Sequence, residues 1–146
     1  MEINISEEEQ RQCFIEQWSD MTVELVCEVP VFCRSVDLVV YDKRNKQVTS
    51  IEFKTLKWKK AVEQVLSTAI AFDYMEICIQ KPKTKAAQQR VLEYCGNFGV
   101  GVYFFDTKTR VFEHPLIPQK IQKVWRIQKE QVIEFVEKGD ILCKKL

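Results

Sequence analysis

Histidine occurs once in the 146-residue chain, and glycine and proline four times each. So little glycine and proline excludes collagen-like and low-complexity sequences. Six cysteines fall at 13, 27, 33, 78, 95 and 143, with no CxxC pair. His114 alone cannot complete a zinc site from them. No apolar run reaches the roughly 18 residues of a membrane-spanning helix, so no membrane partner is expected. Neither sign of charge dominates. With 22 basic and 21 acidic residues the net charge is +1, which excludes a grossly basic nucleic-acid binder and leaves room for a locally basic face. The opening run Glu7-Glu8-Glu9 is acidic, opposite to the leader of a signal peptide. The expectation is therefore a cytoplasmic protein with all six cysteines reduced.

What is present is enough apolar sequence for a core, 46% of residues, in a length that suits a single domain over 1–146. Ser6 and Glu9 have capping-box spacing, which predicts a first helix over 6–19 with Cys13, Phe14, Trp18 and Met21 on its buried stripe. Val-rich alternation predicts strands over 22–33 and 36–42, with Pro30 ending the first strand or placing it at an edge. A polar turn at 42–46 leads to a third strand over 47–55. The clearest helical period covers 57–73, followed by a strand over 74–80. A helix over 84–95, closed by Gly96, precedes a strand over 99–106. Residues 110–114 read as a short edge strand, and 119–138 as helix in one or two pieces. The order predicts an α/β domain: a mixed central sheet of about five strands flanked by helices on both faces. Its core would lie at about 6–106, with a helical C-terminal tail over 119–146.

The chemistry concentrates in three residues. Asp37 and Glu52 are carboxylates inside otherwise apolar strands, where charge is costly unless paired or metal-bound. Glu52 and Lys54 share one strand face, about 6.6–7 Å apart along the strand, while Ile51 and Phe53 point to the other. A hairpin register can bring Asp37 beside Glu52. Two adjacent carboxylates repel, and a hard divalent cation with oxygen ligands relieves that repulsion. Such a cation can polarise a phosphodiester, and a nearby Lys can orient the attacking water.

The run Arg34-Ser-Val-Asp37-Leu-Val-Val, followed by Ile51-Glu52-Phe53-Lys54 and a helix bearing Gln64, resembles the PD-(D/E)XK nuclease superfamily. The resemblance covers roughly residues 6–106. It implies a restriction-endonuclease-like fold and Mg²⁺- or Mn²⁺-dependent hydrolysis of nucleic acid, with DNA favoured over RNA. Asp37, Glu52 and the Phe53 carbonyl would hold the metal, and Asp37, Glu52 and Lys54 would form the catalytic set. Val36 stands where the family often has Pro. Many members add a further Glu, for which Glu7, Glu16, Glu24 and Glu28 are candidates, Glu28 foremost. A minimal core implies that a homodimer or a recruiting protein selects the substrate.

Basic residues extend this reading. Lys57, Lys60 and Gln64 follow helical spacing and can face a phosphate backbone beside the Glu52–Lys54 strand. The clusters Lys81, Lys83, Lys85 and Lys120, Lys123, Arg126, Lys129 read more simply as solvated faces. Gly96-Asn-Phe-Gly99 precedes a strand, so it reads as a helix cap rather than a phosphate loop. The competing interpretation of Glu52 and Lys54 is an exposed ion pair, worth about 0–1 kcal/mol. Two other functions remain open: a catalytically inactive nucleic-acid- or protein-binding module on the same fold, and an interaction protein with no nucleic-acid role.

Overall fold

The computed structural model describes residues 5–18 and 22–138. Helix α1 (Glu7–Gln17) leads into β1 (Val23–Val31), β2 (Arg34–Asp42) and β3 (Gln47–Lys54). Then come α2 (Trp58–Ser67) with a 3-10 turn at Ala69–Ala71, β4 (Tyr74–Gln80), α3 (Lys85–Asn97), β5 (Gly101–Phe105), β6 (Phe112–Leu116) and α4 (Arg126–Lys138). The strands form one six-stranded open sheet in sequence order. Pairs β1–β2, β2–β3 and β5–β6 are antiparallel, while β3–β4 and β4–β5 are parallel. Strand–helix–strand connections require such parallel pairs, and short turns allow the antiparallel ones. This is a mixed α/β fold.

One face of the sheet is covered by α1. Its capping box forms as spaced, with the Glu9 amide on Ser6 Oγ at 3.1 Å. Phe14 is buried among Trp18, Phe53, Tyr103 and Phe112, with ring centroids 5.0–5.7 Å apart. Truncating such a residue to Ala costs roughly 3–5 kcal/mol. On the opposite face, Ala61, Val62 and Val65 of α2 and Val91 and Cys95 of α3 bury Ile77, Ile79, Val102 and Phe104. There α4 adds Val132 and Val136 over Val26, Val29 and Tyr41. As expected for a chain with Pro30, β1 is an edge strand.

Several expectations are corrected. The sheet has six strands where about five were expected: the short edge strand read at 110–114 is β6, which lies at 112–116 and pairs with β5. Residues 119–125 are not helical. Their amides are committed elsewhere: Gln119 N to Gly99 O, Ile121 N to Asp73 O and Trp125 N to Ile70 O. The long helix predicted over 57–73 breaks at Thr68, which leaves helical geometry at φ −118. Gly96 does not close α3; the helix runs to Asn97, and Gly99 takes the left-handed turn at φ +72. On α1 the fully buried residues are Gln10, Phe14 and Ile15, with Cys13 and Trp18 half-buried. Met21 lies outside the described residues, as does 139–146 of the predicted tail. Cys13, Cys33, Cys78 and Cys95 are free thiols, but Cys27 is disulfide-bonded, so the expectation of six reduced cysteines fails there.

Candidate functional site

The β2–β3 ladder runs from Asp42 opposite Gln47 to Leu38 opposite Ile51. One step further along, Asp37 meets Glu52, and side chains take over from the backbone ladder. Asp37 N donates to Glu52 Oε2 at 3.1 Å, and Phe53 N donates to Asp37 Oδ2 at 2.9 Å. The two carboxylates thus cap each other's strand ends and are held together. Glu52 is only 4% exposed and Asp37 is half-buried. Burial, and then the charge of Asp37, pushes the Glu52 carboxyl up to about 8. Asp37 is also raised, chiefly by burial, although its bond from the Phe53 amide opposes the shift. Such a pair favours sharing a proton or a cation over carrying two bare charges. The exposed Glu52–Lys54 ion pair is excluded by the burial of Glu52. Lys54 Nζ instead lies 3.7 Å from Glu7 Oε1, while its charge still acts on Glu52.

Helix α1 contributes groups that the sequence pattern did not single out. Gln10, fully buried, donates Nε2 to Cys78 O at 3.0 Å and to Lys54 O at 3.4 Å, tying the ends of β3 and β4. Arg11 donates to Asp37 O at 3.3 Å and to Glu28 Oε1 at 3.1 Å. Both stand on the turn before Phe14 and Ile15, so helical spacing places them on the docked face. Glu28 lies across from Asp37 and raises it electrostatically, but its carboxylate is engaged by Arg11 and by Ser35 Oγ at 2.8 Å. Glu7 lies beside Lys54, Gln12 donates to Glu16, and Glu24 pairs with Lys43. Among the described residues no group of three or more His, Cys, Asp or Glu side chains is disposed to hold a metal.

On the other side of Glu52 a pocket of about 220 Å³ opens, lined by Cys33, Arg34, Ser35, Glu52, Gln64 and Thr68. Gln64 therefore shares a wall with Glu52 as its position on α2 suggests, and its Oε1 is buried without a hydrogen-bond partner. Lys60 lies one helical turn before Gln64, and Lys57 caps the helix start; both are exposed. No acidic residue stands in the first turn of α2. Three lysines there oppose the helix dipole, which costs about 0.3–1 kcal/mol each unless an anion covers them. Lys59 differs, lying over the Trp58 and Tyr94 rings at 5.5 and 5.6 Å.

The pocket's rim is the tip of the β1–β2 hairpin, where Val31 pairs with Arg34 around Phe32 and Cys33. Phe32 is 52% exposed and left-handed at φ 57, a conformation that costs a non-glycine residue about 1–2 kcal/mol. Glu28 shares that geometry at φ 54.

Elsewhere, several charged groups are already partnered. Lys81 pairs with Glu113 at 2.6 Å, Arg126 with Glu130 at 2.9 Å and Lys129 with Asp73 at 2.9 Å. His114 lies in β6, with Nε2 2.6 Å from Glu76 Oε1 and its ring stacked 3.9 Å from Tyr103.

One solved structure shares this architecture. The SPO1766 protein of unknown function from Silicibacter pomeroyi superposes with a TM-score of 0.67 over 92% of this chain and 86% of its own, at 13% identity. At that identity the likeness shows the fold alone. No protein-family model and no curated protein matches the chain. Among the described residues no helix is long and apolar enough to cross a membrane.

Proposed function

We propose that the protein is a Mg²⁺- or Mn²⁺-dependent nuclease of the PD-(D/E)XK type, hydrolysing phosphodiester bonds of nucleic acid, DNA before RNA. The observation that carries this reading is the buried Asp37–Glu52 contact, with Phe53 N on Asp37 at 2.9 Å and Asp37 N on Glu52 at 3.1 Å. Two hard oxygen donors forced together, both raised above their ordinary carboxylate values, are a donor set that a divalent cation fits. Magnesium is content with one or two carboxylates and otherwise keeps water, so a third protein side chain is not required. Asp37, Glu52 and the Phe53 carbonyl would hold it. When bound, the cation supplies Lewis acidity toward a phosphoryl oxygen.

The chain's own residues supply the rest. Lys54, at the end of the same strand, orients a water and offsets negative charge developing on the phosphate. Gln10 and Arg11 keep the ends of β3 and β2 where these side chains converge. Lys57, Lys60 and Gln64 receive the phosphate backbone along α2. Selection of the substrate by a second copy or a recruiting protein belongs to the same proposal. A cytoplasmic setting, where nucleic acid is at hand, accompanies this function.

The deciding experiment titrates Mg²⁺ and Mn²⁺ calorimetrically into wild type and an Asp37→Ala, Glu52→Ala double variant, with cleavage of labelled plasmid followed in parallel. Saturable binding and cutting by wild type, both lost in the variant, is the expected result. Nucleic-acid binding that ignores both the cation and the variant would mark a non-catalytic module. No saturable cation binding in wild type overturns the proposal.

A further inference from the structure

The nuclease reading leaves open which form of nucleic acid fits. Three observations converge at the rim of the Glu52 pocket. Phe32, at the hairpin tip, turns about half of its surface to solvent, although its strand neighbours Val29 and Val31 are buried. Arg34, one residue past the turn, is exposed, lines the pocket and has no acidic partner among the described residues. The pocket holds about 220 Å³. A base has to leave the duplex stack before it can enter a pocket of this kind. A free aromatic face beside an unpaired guanidinium is the chemistry of single-strand binding: the ring stacks on a base and the cation meets the phosphate. Every base has a π-face, so this contact needs no particular sequence.

Building on that reading, we infer that the protein acts on an unpaired segment of DNA, with Phe32 stacking on a base and Arg34 holding the adjoining phosphate at the mouth of the Glu52 pocket. Phe32 is then a specificity-determining residue. It selects single-stranded or frayed DNA over a fully paired duplex.

The test measures binding of the full chain, without divalent cation so that nothing is cut, to a fluorescent single-stranded DNA and to the blunt duplex of the same sequence. Phe32→Asn keeps a residue that tolerates left-handed backbone but removes the ring. Phe32→Tyr keeps the ring. Wild type is expected to favour the single strand by about tenfold, the size of one stacked base. Asn abolishes that preference, Tyr retains it, and duplex binding is unchanged in both. Placing 2-aminopurine in the strand adds a direct readout: its fluorescence is quenched by wild type and by Tyr, but not by Asn. Equal binding of the two DNA forms by wild type, or an Asn variant that still prefers and quenches the single strand, overturns the inference. Cleavage with Mg²⁺ is scored separately. Phe32-dependent binding without cutting refutes the nuclease alone, and cutting that ignores Phe32 refutes this inference alone.

Discussion

Acids are buried at separate points of the same sheet, on opposite terms. Near the start of β4, Asp73 receives Val48 N at 2.9 Å and Lys129 Nζ at 2.9 Å, and Glu76 meets His114 at 2.6 Å. At the meeting of β2 and β3, Glu52 instead faces another acid, Asp37. A buried carboxylate with a basic or polar partner is what a stable fold tolerates. A buried carboxylate with a like-charged partner carries an electrostatic cost that a bound cation would remove. The contrast separates the carboxylates that hold the protein together from those proposed to work.

The largest effect tests that separation through activity. Asp37→Asn or Glu52→Gln is expected to lower cleavage roughly 100–1,000-fold, about 3–4 kcal/mol of transition-state stabilisation. Asp73→Asn should leave the per-molecule rate of the folded protein nearly unchanged. Single-turnover assays with the folded fraction fixed make the comparison. Equal losses in both sets would erase the distinction.

Stability should respond with opposite signs. Lys129→Met leaves a buried Asp73 without its cation and is expected to cost about 2–3 kcal/mol in urea denaturation, less than a fully buried pair because Lys129 is partly exposed. Glu52→Gln removes a like-charge contact and is expected to stabilise the cation-free protein by about 1–2 kcal/mol at pH 8.

The pH dependence follows from the same pair. Glu52 titrates near 4.5 when unfolded and near 8 when folded. Between those values the folded state binds more protons, so cation-free stability falls as pH rises from about 4.5 to about 8 and then levels. Glu52→Gln should flatten that slope. Added Mg²⁺ should raise the melting temperature most at the alkaline end, where no proton competes for the carboxylates. A wild-type stability curve that is flat across this window would contradict the coupling.

Much of this architecture is visible in one dimension. The Ser6–Glu9 cap, strand 74–80 and the acids at 37 and 52 stand out because each rests on spacing along one element. Asp37 and Glu52 are conspicuous as charge within apolar strands. What stays hidden depends on contacts between elements. Residues 119–125 are kept out of a helix by carbonyls of distant segments. Arg11 and Gln10 look like ordinary polar helix residues until α1 docks. Phe32 looks like core until the hairpin turns it outward. A solved structure with the same fold at 13% identity makes a similar point, since one architecture is compatible with largely different side chains.

The smallest effect probes whether Gln10 of α1 serves the acids or only the strand that carries Lys54. Gln10 donates to backbone carbonyls of Lys54 and Cys78 and to no carboxylate. Gln10→Leu fills similar space but leaves those carbonyls without its amide, so a loss of about 1 kcal/mol is expected. Because Lys54 loses its tether while Asp37 and Glu52 keep theirs, Mg²⁺ affinity should be unchanged and cleavage should fall only several-fold. A calorimetric titration beside single-turnover rates separates the two quantities. If cation affinity fell in step with rate, Gln10 would belong to the acid pair's support. The division between the acid pair of β2 and β3 and the backbone brace that Gln10 supplies to β3 and β4 would then fail.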